Sequence, residues 1–524
     1  MKYSYLLPTI VLLTSLSETK SARILAVFVI PAKSHHVIFR TLTLELAKRG
    51  HELVVITPHP VFQNGKTPDN YKEIDVSDKC REAWSRKPMN SGHGSVSDLK
   101  NVISAQLDII VDLFYEYLED EQVNKILHDP NAKFDLLIVE GWFRPSVAFS
   151  HKFNIPVIRF SSFGSCFTEY EDNGAIQYPV FSPKMCGTTL KDNTFWGQIT
   201  ALYDSLIYAK IHKSRDKENE DRLKKHFGAD IPSLDDLNQN VNVLMMNVPR
   251  IWEMYTPTPP NLIHVAGIHL NVEKELPNDL KTYLDSLPND VIYISFGTNV
   301  ETSTIPAKQL QMMVNVLSRL PYQVIWKWNE DELPGRSGNI MISKWLPQEA
   351  LLRHPKVKLF ITQGGLQSTQ EAIFAGVPLL GMPLNIDQFY NVENYIRLKI
   401  GLRQDLKTLN EEKFGETILT LLNDKSYRDN VQRLSVKLHD ERLPPLARAV
   451  WWTEHVLRHA GAPYLRAPAA NMHWARYYEL DLLAIFITIC LFSITLVYLC
   501  LYYLLLFIFN FLKNSVGFQK YKIV

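Results

Sequence analysis

The strongest constraint on this chain is a long run without charged side chains near its C-terminal end. From Leu482 to Leu512 there are 31 consecutive residues without an Asp, Glu, Lys or Arg. A helix needs about 20 predominantly apolar residues to cross the hydrocarbon core of a bilayer. The run also lacks the polar stripe of a helix that packs on a soluble core. We therefore predict a transmembrane helix at 482–512.

Charged residues on the two sides of this run predict its orientation. Acidic side chains precede the run and lysines follow it, at Glu479, Asp481, Lys513, Lys520 and Lys522. The positive-inside rule then places the tail, 513–524, in the cytosol and everything before the helix in the lumen. The last two lysines resemble the di-lysine signal that returns type I membrane proteins to the endoplasmic reticulum, with a merely basic tail as the alternative.

The N-terminus has the pattern of a secretory signal peptide. Lys2 precedes a short apolar run, Tyr5–Leu13, and small residues follow that run. A new strand pattern then starts at Ile24. We predict a signal peptide at 1–22, although the sequence does not define the cleavage position, and a single-pass type I protein of the endoplasmic reticulum membrane with the residues before the span in the lumen.

Composition narrows the classes of partner. The 524 residues are 46% hydrophobic and 21% charged, and 56 basic residues balance 55 acidic ones to a net charge of +1. No overall field favours nucleic acid, so we expect small molecules and membrane lipid as partners and no nucleic acid. A homo-oligomer stays open.

The five cysteines do not form a disulfide framework. Cys490 and Cys500 lie in the predicted span, which leaves Cys80, Cys166 and Cys186 in the lumen. One disulfide can form among these three, and the sequence does not assign it. Without a Cys-x-x-Cys pair, a structural zinc site is not expected.

The first half of the mature chain, 23–255, alternates strand and helix patterns. Apolar Ile24–Ile30, a loop Pro31–His36, an amphipathic stretch Val37–Arg49 and apolar Leu53–Ile56 predict a strand, helix, strand unit. Its loop has no glycine to admit a pyrophosphate, so this half is not expected to hold a nucleotide. Further strands are predicted at Phe134–Val139 and Pro156–Phe160, separated by a helix at Pro145–Phe153.

A second α/β half follows, and we assign 256–285, a proline-rich stretch, to the linker and the start of this half. It spans 286–440, and its predicted strands are Val291–Phe296, Gln323–Trp326, Ile340–Ser343 and Leu359–Thr362. The last segment before the span, 441–481, contains an amphipathic helix, Leu446–His459, rich in Trp and His. The pattern predicts an α/β protein with two Rossmann-like domains.

The most informative local motif joins the strand Leu359–Thr362 to a glycine turn and a helix that starts near Ser368. The segment after the strand reads Gln363-Gly364-Gly365-Leu366-Gln367-Ser368. Paired glycines let backbone N–H groups approach a phosphate, and the positive end of the helix dipole favours it. Glu371, three residues after Ser368, is either a ligand-binding carboxylate or a capping-box residue.

These residues belong to a longer pattern that resembles the signature of the UDP-glycosyltransferases, and within that family the arthropod-type, membrane-bound members. The window from Trp345 to Gln388 spans 44 residues, and its matching positions are Trp345, Gln348, Gly365, Ser368, Glu371, Pro378, Asp387 and Gln388. The resemblance implies the GT-B fold, in which the first domain binds the acceptor and the second binds the UDP-sugar across a cleft. It also implies that Leu446–His459 returns to the first domain.

The resemblance implies a role for each donor-site residue. Trp345 would stack on uracil, Gln348 would contact the base or ribose, and Glu371 would accept hydrogen bonds from the ribose. The diphosphate would lie against Gly297, Thr298, Asn299, Gln363, Gly364, Gly365, Gln367 and Ser368. Asp387 and Gln388 would bind hydroxyls of the sugar. The alternatives are local: Trp345 as a core residue, Asp387 as a helix cap and Gly297 as a turn residue.

The resemblance also implies a catalytic base, His35, in the loop after the first strand. His36 beside it is a competitor. The base takes the proton of an acceptor hydroxyl as the hydroxyl attacks the anomeric carbon with inversion. The chain departs from the common pattern in two places. Gln363 stands where many members have a histidine, and Glu140 stands where an aspartate commonly orients the base.

The expected activity is therefore transfer of a hexose, with glucose expected from the arthropod resemblance, from a UDP-sugar to small lipophilic acceptors in detoxification or metabolite conjugation. The chain has no Asp-x-Asp motif, so no metal and no other cofactor is expected. Aromatic residues such as Trp84, Phe114 and Tyr115 are predicted to shape the acceptor pocket. The alternatives are a UDP-sugar-binding escort protein without turnover and a transferase dedicated to one lipid acceptor.

Overall fold

The computed structural model describes residues 21–62, 67–86, 99–175, 184–186, 194–271, 273–298, 305–470 and 472–520. The predicted signal peptide falls almost wholly outside these residues, as does Asn299. The chain forms two compact units, which divide after Ala470.

The first half is built on a parallel sheet of seven strands in the order β3-β2-β1-β4-β5-β6-β7. The strands are β1 Arg23–Val27, β2 Glu52–Thr57, β3 Tyr71–Asp75, β4 Leu136–Glu140, β5 Val157–Ser161, β6 Val241–Met246 and β7 Leu262–His264. Every residue of β4 and β5 is buried, as expected for strands covered on both faces. The order reverses between β1 and β4, so a crevice opens at the carboxyl ends of these two strands.

Helices cover both faces of this sheet. They are α1 Lys33–Lys48, α2 Ser77–Arg86, α3 Leu99–Leu118, α4 Glu121–His128, α5 Ala148–Phe153, α6 Glu169–Asp172, α7 Phe195–Lys213, α8 Asp216–Phe227 and α9 Leu234–Leu237. Helix α1 buries Ile38, Phe39 and Leu42 against the sheet. It begins four residues earlier than the predicted Val37, because Ala32 already has the extended backbone of an N-cap residue. His35 therefore lies in the first turn of a helix, and its predicted position in a loop is wrong.

The second half is built on a parallel sheet of six strands in the order β10-β9-β8-β11-β12-β13. The strands are β8 Val291–Ser295, β9 Gln323–Lys327, β10 Ile340–Ser343, β11 Val357–Thr362, β12 Leu379–Gly381 and β13 Gly401–Arg403. The helices are α10 Asn278–Ser286, α11 Ala307–Arg319, α12 Gln348–Leu352, α13 Leu366–Phe374, α14 Asp387–Arg397, α15 Glu411–Asn423 and α16 Lys425–His439. Here the order reverses between β8 and β11, which opens a second crevice at their carboxyl ends.

The proline-rich stretch between the halves is more ordered than a linker. The predicted linker at 256–285 contains β7, which pairs with β6 as the edge strand of the first sheet. A strand of three residues gives too short an apolar pattern to be recognised among prolines. Just before it, Trp252 is fully buried, and its Nε1 donates a hydrogen bond to Asn391 Oδ1 at 2.8 Å.

The helix α17, Pro445–Arg458, lies against the first half. Its Ala449, Val450 and Val456 are buried in the apolar core beneath α1. At the end of α1, Arg49 Nε donates to Glu454 Oε1 at 2.6 Å. The chain thus returns from the second half and packs on the first.

The C-terminal unit contains α18, Trp474–Tyr477, and α19, Leu480–Lys520. Within the part of the chain that the structure describes, α19 is the one helix long and apolar enough to cross a membrane, with a mean hydropathy of 2.6 over an 18-residue window of its candidate span Leu480–Ser515. The predicted span at 482–512 falls inside it.

A disulfide that the sequence left unassigned joins Cys166 and Cys186, whose Cα atoms are 4.7 Å apart. Cys80 is a buried free thiol. The disulfide attaches 184–186 to the loop between β5 and α6.

Candidate active site

His35 stands over the crevice of the first sheet, where β4 and β5 end. Its Nδ1 is 2.8 Å from Ser162 Oγ, in a hydrogen bond. Glu140, the last residue of β4, lies farther away, with Oε2 3.9 Å from the same nitrogen. Glu140 is fully buried, and burial raises the pKa of its carboxyl, while the hydrogen-bonding and charge of His35 act in the opposite direction. The structure thus brings His35 and Glu140 together, as predicted. Ser162, which the sequence analysis did not identify, is in closer contact with His35.

His36, the predicted competitor, is committed to the core. Its Nε2 donates to the Ile30 carbonyl oxygen at 2.7 Å, and its Nδ1 is 3.1 Å from Thr57 Oγ1. Burial, followed by the charge of His59, lowers its pKa to about 3. A ring with both nitrogens occupied and a strong preference for the neutral form cannot serve as a base for a substrate.

An aromatic cluster extends from His35 into the first half. The ring of Phe163 meets His35 edge-on at 5.3 Å between centroids, and Trp142 stacks on Phe163 at 6.0 Å. Phe167 lies 6.0 Å beyond Trp142. Sequence reasoning missed this cluster. The aromatic residues predicted to shape the acceptor pocket are different ones. Of these, Phe114 and Tyr115 lie in the core of the first half, where α3 packs on the sheet, and the side chain of Trp84 lies outside the described residues.

On the other side of the cleft, the glycine turn after β11 leads directly into α13. Gly364 has a φ of +91°, and a Cβ there would come within 2.7 Å of Val392, so both conformation and space require glycine. Gly365 is the N-cap residue, and the helix begins at Leu366 rather than near Ser368. The first N–H groups of α13 therefore have no hydrogen-bond acceptor within the helix, and they lie directly after the glycine turn.

Glu371 lies too far into α13 to form a capping box, and that alternative is wrong. Gln348 Nε2 donates instead to both Glu371 Oε2 at 2.7 Å and Ser368 Oγ at 2.9 Å. Three predicted donor-site residues thus form one hydrogen-bonded group. Burial raises the pKa of Glu371 to about 7, although the Gln348 bond lowers it.

His269 is a neighbour of Glu371 that the sequence analysis did not identify. Its Nε2 is 3.8 Å from Glu371 Oε1, and burial lowers the pKa of His269 to about 4. It comes from the segment between β7 and α10, so nothing in its local sequence linked it to the motif. The arrangement places a neutral imidazole beside a carboxyl with a raised pKa.

Gly297 and Thr298 follow β8 at the same edge of the sheet. Gly297 has a φ of +79°, and a Cβ there would collide with the Gln363 amide nitrogen. The carbonyl oxygen of Gly297 accepts a hydrogen bond from Lys327 Nζ at 2.8 Å. Burial, and then the charge of Lys33, lowers the pKa of Lys327. This lysine was missed, although a cation at the carboxyl end of a buried parallel strand is a recognisable signal.

Asp387 is the first residue of α14, and Ile386 before it is the N-cap residue without a side-chain cap. Asn391 Nδ2 donates to Asp387 Oδ2 at 2.9 Å and to the Gly364 carbonyl oxygen at 2.8 Å. Burial raises the pKa of Asp387 to about 6, while the nearby charge of His35 lowers it. Asp387 is thus tied to the glycine turn and lies within electrostatic reach of His35.

The remaining predicted residues lie in two different settings. Gln388 Oε1 accepts hydrogen bonds from the N–H groups of Leu384 at 2.8 Å and Asn385 at 2.9 Å. Trp345 is 70% exposed, so its alternative as a core residue is wrong. An exposed indole at the edge of the donor site leaves a face open for stacking.

Ser162 is one of the residues that connect the two sides of the cleft. Ser162 holds His35 through its hydroxyl, and its carbonyl oxygen accepts a hydrogen bond from Gln367 Nε2 at 3.1 Å. The histidine of the first half and the first turn of α13 in the second half are therefore joined through Ser162.

Two Rossmann-like halves facing a cleft define the GT-B class of glycosyltransferases, and solved structures of that class share this fold. The crystal structure of Arabidopsis thaliana UGT89C1 superposes with a TM-score of 0.56 at 17% identity, over 84% of this chain and 100% of that one. The UDP-glucose: anthocyanidin 3-O-glucosyltransferase in complex with UDP superposes with a TM-score of 0.55 at 18% identity, over 84% and 99%.

The sequence matches the family "UDP-glucoronosyl and UDP-glucosyl transferase" over residues 25–514, and the chain belongs to this family of enzymes. An ecdysteroid UDP-glucosyltransferase of Spodoptera littoralis nuclear polyhedrosis virus is 32% identical over 495 residues, which are 90% of this chain and 95% of the relative. UDP-glycosyltransferase UGT5 of Dactylopius coccus is 32% identical over 498 residues, 92% of each. The predicted family, fold and enzyme class are confirmed.

Proposed function

We propose that this glycosyltransferase transfers glucose from UDP-glucose to a hydroxyl group of small lipophilic acceptors, with inversion at the anomeric carbon. The observation that carries the proposal is the link through Ser162, which joins His35 to Gln367 in the first turn of α13, directly after the glycine turn. A base on one half then lies next to the part of the other half where a nucleotide diphosphate fits.

In the proposed reaction His35 acts as the general base. Its Nδ1 is engaged by Ser162, which leaves Nε2 for the proton of the acceptor hydroxyl. The hydroxyl oxygen forms a bond to the anomeric carbon as the bond from that carbon to the UDP oxygen breaks. Glu140, 3.9 Å from the ring, stabilises the imidazolium that forms, as a buried carboxylate does beside a catalytic histidine.

The leaving UDP is proposed to be stabilised by the protein alone, without a metal. The glycine turn and the first N–H groups of α13 present backbone dipoles to the diphosphate. Lys327, held on Gly297 at 2.8 Å, adds a fixed positive charge at the neighbouring loop. Preorganised dipoles and charges of this kind need no reorganisation when negative charge develops on the leaving group.

Donor recognition is proposed for the residues around α13 and α14. Trp345 would stack on the uracil ring, and Glu371, held by Gln348, would accept hydrogen bonds from the ribose hydroxyls. Asp387 would bind a hydroxyl of the sugar, oriented by Asn391. Glucose as the sugar is supported by the names of several relatives, which are described as UDP-glucosyltransferases.

Lipophilic acceptors are supported by the aromatic cluster behind His35. Trp142, Phe163 and Phe167 offer apolar surface next to the proposed base, and such surface favours apolar ligands with few polar groups. The ecdysteroid in the name of the viral relative is an acceptor of this kind.

We place the catalytic part in the lumen of the endoplasmic reticulum, anchored by α19. The charges flanking the span support this orientation, and the Cys166–Cys186 disulfide suits an oxidising compartment. Conjugation of lipophilic metabolites or foreign compounds is the proposed physiological role.

The test is acceptor-dependent UDP release by microsomes that contain the full chain. UDP-glucose and UDP-glucuronate are offered with a panel of phenols and steroids, and His35→Ala is compared with His128→Ala, which changes an exposed histidine on α4. We expect His35→Ala to lower release by about 10²- to 10⁴-fold while UDP binding persists, and His128→Ala to match the parent. Tight UDP binding without release for any donor and acceptor would support the escort protein instead.

A further inference from the structure

Helix α7 presents a continuous apolar stripe to the outside of the first half. The stripe follows the helical repeat at 195, 199, 202 and 206, with two aromatic residues beside it. Its members and their exposed fractions are Phe195 68%, Trp196 72%, Ile199 43%, Leu202 52%, Tyr203 57% and Leu206 61%. Single exposed apolar residues are ordinary, but six large ones on one helix face mark an interaction surface.

The opposite face of α7 holds the helix on the protein. Its buried side chains are Ala201, Tyr208 and His212. The His212 ring stacks on Phe167 with 4.9 Å between centroids, and Phe167 belongs to the aromatic cluster that leads to His35. Helix α7 therefore has one side against the proposed acceptor region and its apolar stripe directed away from it.

Basic residues continue the stripe towards its C-terminal end. Lys210 and Lys213 are exposed and lie on the same helical face, since they are four and seven residues beyond Leu206. Lys217 at the start of α8 is also exposed. Apolar and aromatic side chains bordered by lysines are typical of helices that lie in the plane of a membrane surface, where the lysines meet anionic headgroups.

We propose that α7 lies in the surface of the bilayer, with its apolar stripe in contact with lipid. We choose the bilayer as the partner of the stripe because α19 is predicted to cross the membrane. Nine residues separate Ala470 from Leu480, where the apolar helix begins, and nine residues reach at most about 30 Å. A bilayer surface is therefore always present at high effective concentration beside the first unit, whereas a second copy of the chain is not.

Contact of α7 with the bilayer affects how acceptors reach the site, an inference that rests on the proposed function. Because His212 joins α7 to Phe167, the lipid-facing helix borders the aromatic cluster. A lipophilic acceptor dissolved in the bilayer then reaches the site without crossing bulk water, while a water-soluble acceptor gains nothing.

The direct test locates α7 in the full chain reconstituted into vesicles of phosphatidylcholine and phosphatidylserine. A cysteine replaces Leu206 in a chain whose free Cys80, Cys490 and Cys500 are serines, and it carries an environment-sensitive fluorophore. The matched control is Val436→Cys on α16, whose side chain is 68% exposed. We expect nitroxide lipids to quench the label at 206 several-fold more than the label at 436, and aqueous iodide to do the reverse.

Equal quenching at the two positions would overturn the proposal. A label at 206 that is shielded from iodide and also unquenched by nitroxide lipid would overturn it too, and would assign the stripe to contact with a second copy. These readouts do not need turnover, so they are independent of the proposed reaction.

The kinetic test uses the double change Leu202→Ser with Leu206→Ser, against Val436→Ser. We expect the KM for a membrane-partitioning acceptor to rise several-fold, with kcat and the KM for a water-soluble acceptor unchanged. An equal rise for both acceptors would indicate damage to the site and contradict the membrane role.

Discussion

Ser162 and Glu140 both lie beside Nδ1 of His35, and they differ in what they supply. Ser162 Oγ is at hydrogen-bonding distance, 2.8 Å, whereas the Glu140 carboxylate is at 3.9 Å. A hydroxyl fixes the orientation of the ring, but only a carboxylate compensates the positive charge that forms on it. The sequence-based prediction gave the orientation of the ring to Glu140, whereas the structure places Ser162 at hydrogen-bonding distance from it.

We predict that the two residues fail differently when changed. Glu140→Gln keeps the size of the side chain but removes its charge, so kcat falls on the order of 10²-fold. Ser162→Ala loses one hydrogen bond, about 1 kcal/mol, and kcat falls less than tenfold. Steady-state kinetics measures both effects, and an unchanged kcat in Glu140→Gln would leave Ser162 as the sole partner of His35.

We predict that donor binding depends on pH, because the pKa of Glu371 is raised. Its carboxyl has a pKa of about 7 in the free protein because it is buried. If ribose hydroxyls donate to it, UDP-glucose prefers the ionised form, so binding releases a proton. Affinity therefore rises with pH through about 7 and levels off above it, by at most tenfold per pH unit.

Calorimetry in two buffers with different ionisation heats measures this proton release. We expect Glu371→Gln to bind UDP-glucose more weakly and without the pH dependence. Proton uptake by the parent protein would contradict the assignment of Glu371 to the ribose.

At the scale of elements, the predictability of the fold follows burial. The central strands are continuous apolar runs, and the predicted Val291–Phe296 and Gln323–Trp326 agree with β8 and β9 to within one residue. The edge strand β3 reads Tyr-Lys-Glu-Ile-Asp, and β7 and β13 have three residues each. Short or polar edge strands depend on pairing with a neighbour, which a local pattern does not contain.

The candidate site likewise has one part that the sequence predicts and one part that it does not. The donor motif is local and was found from the sequence, whereas the contacts that complete the site join distant segments. Ser162 is 127 residues from His35 and 205 residues from Gln367. Such pairs arise because carboxyl ends of parallel strands meet at one edge, and the sequence does not state which loop residues meet there.

The Cys166–Cys186 disulfide is a covalent link between two segments of the first half, and we predict that it stabilises this half. It closes a loop of 20 residues between Cys166 and Cys186, which corresponds to about 3 kcal/mol of unfolding free energy. The double change Cys166→Ala with Cys186→Ala should lower the melting temperature and remove its sensitivity to dithiothreitol. Cys80→Ala is the control and should keep that sensitivity. Sensitivity that survives the double change would contradict the role of this disulfide.

At the scale of the whole molecule, the two halves are joined next to the reaction site rather than far from it. Trp252 from the first half donates to Asn391 of α14, and Gln370 of α13 donates to the Asn247 carbonyl oxygen at 2.8 Å. Asn391 also holds Asp387 and the glycine turn. Closure of the cleft and alignment of the donor site are therefore functions of the same side chain.

We predict that Asn391→Asp uncouples these functions. The aspartate still accepts the Trp252 hydrogen bond, but it cannot donate to Gly364 or Asp387, and it brings a second carboxylate beside Asp387, whose pKa is already raised to about 6. The loss of buried hydrogen bonds and the like-charge repulsion cost about 2 to 3 kcal/mol. The KM for UDP-glucose should therefore rise by more than tenfold, together with a lower melting temperature.

The matched control is Asn394→Asp on the same helix, where Oδ1 already accepts from Arg397 Nε at 2.8 Å. Because a carboxylate beside that guanidinium is favourable, Asn394→Asp should keep the parent KM, and an equal rise in both variants would show that α14 tolerates no added charge rather than that Asn391 aligns the donor site.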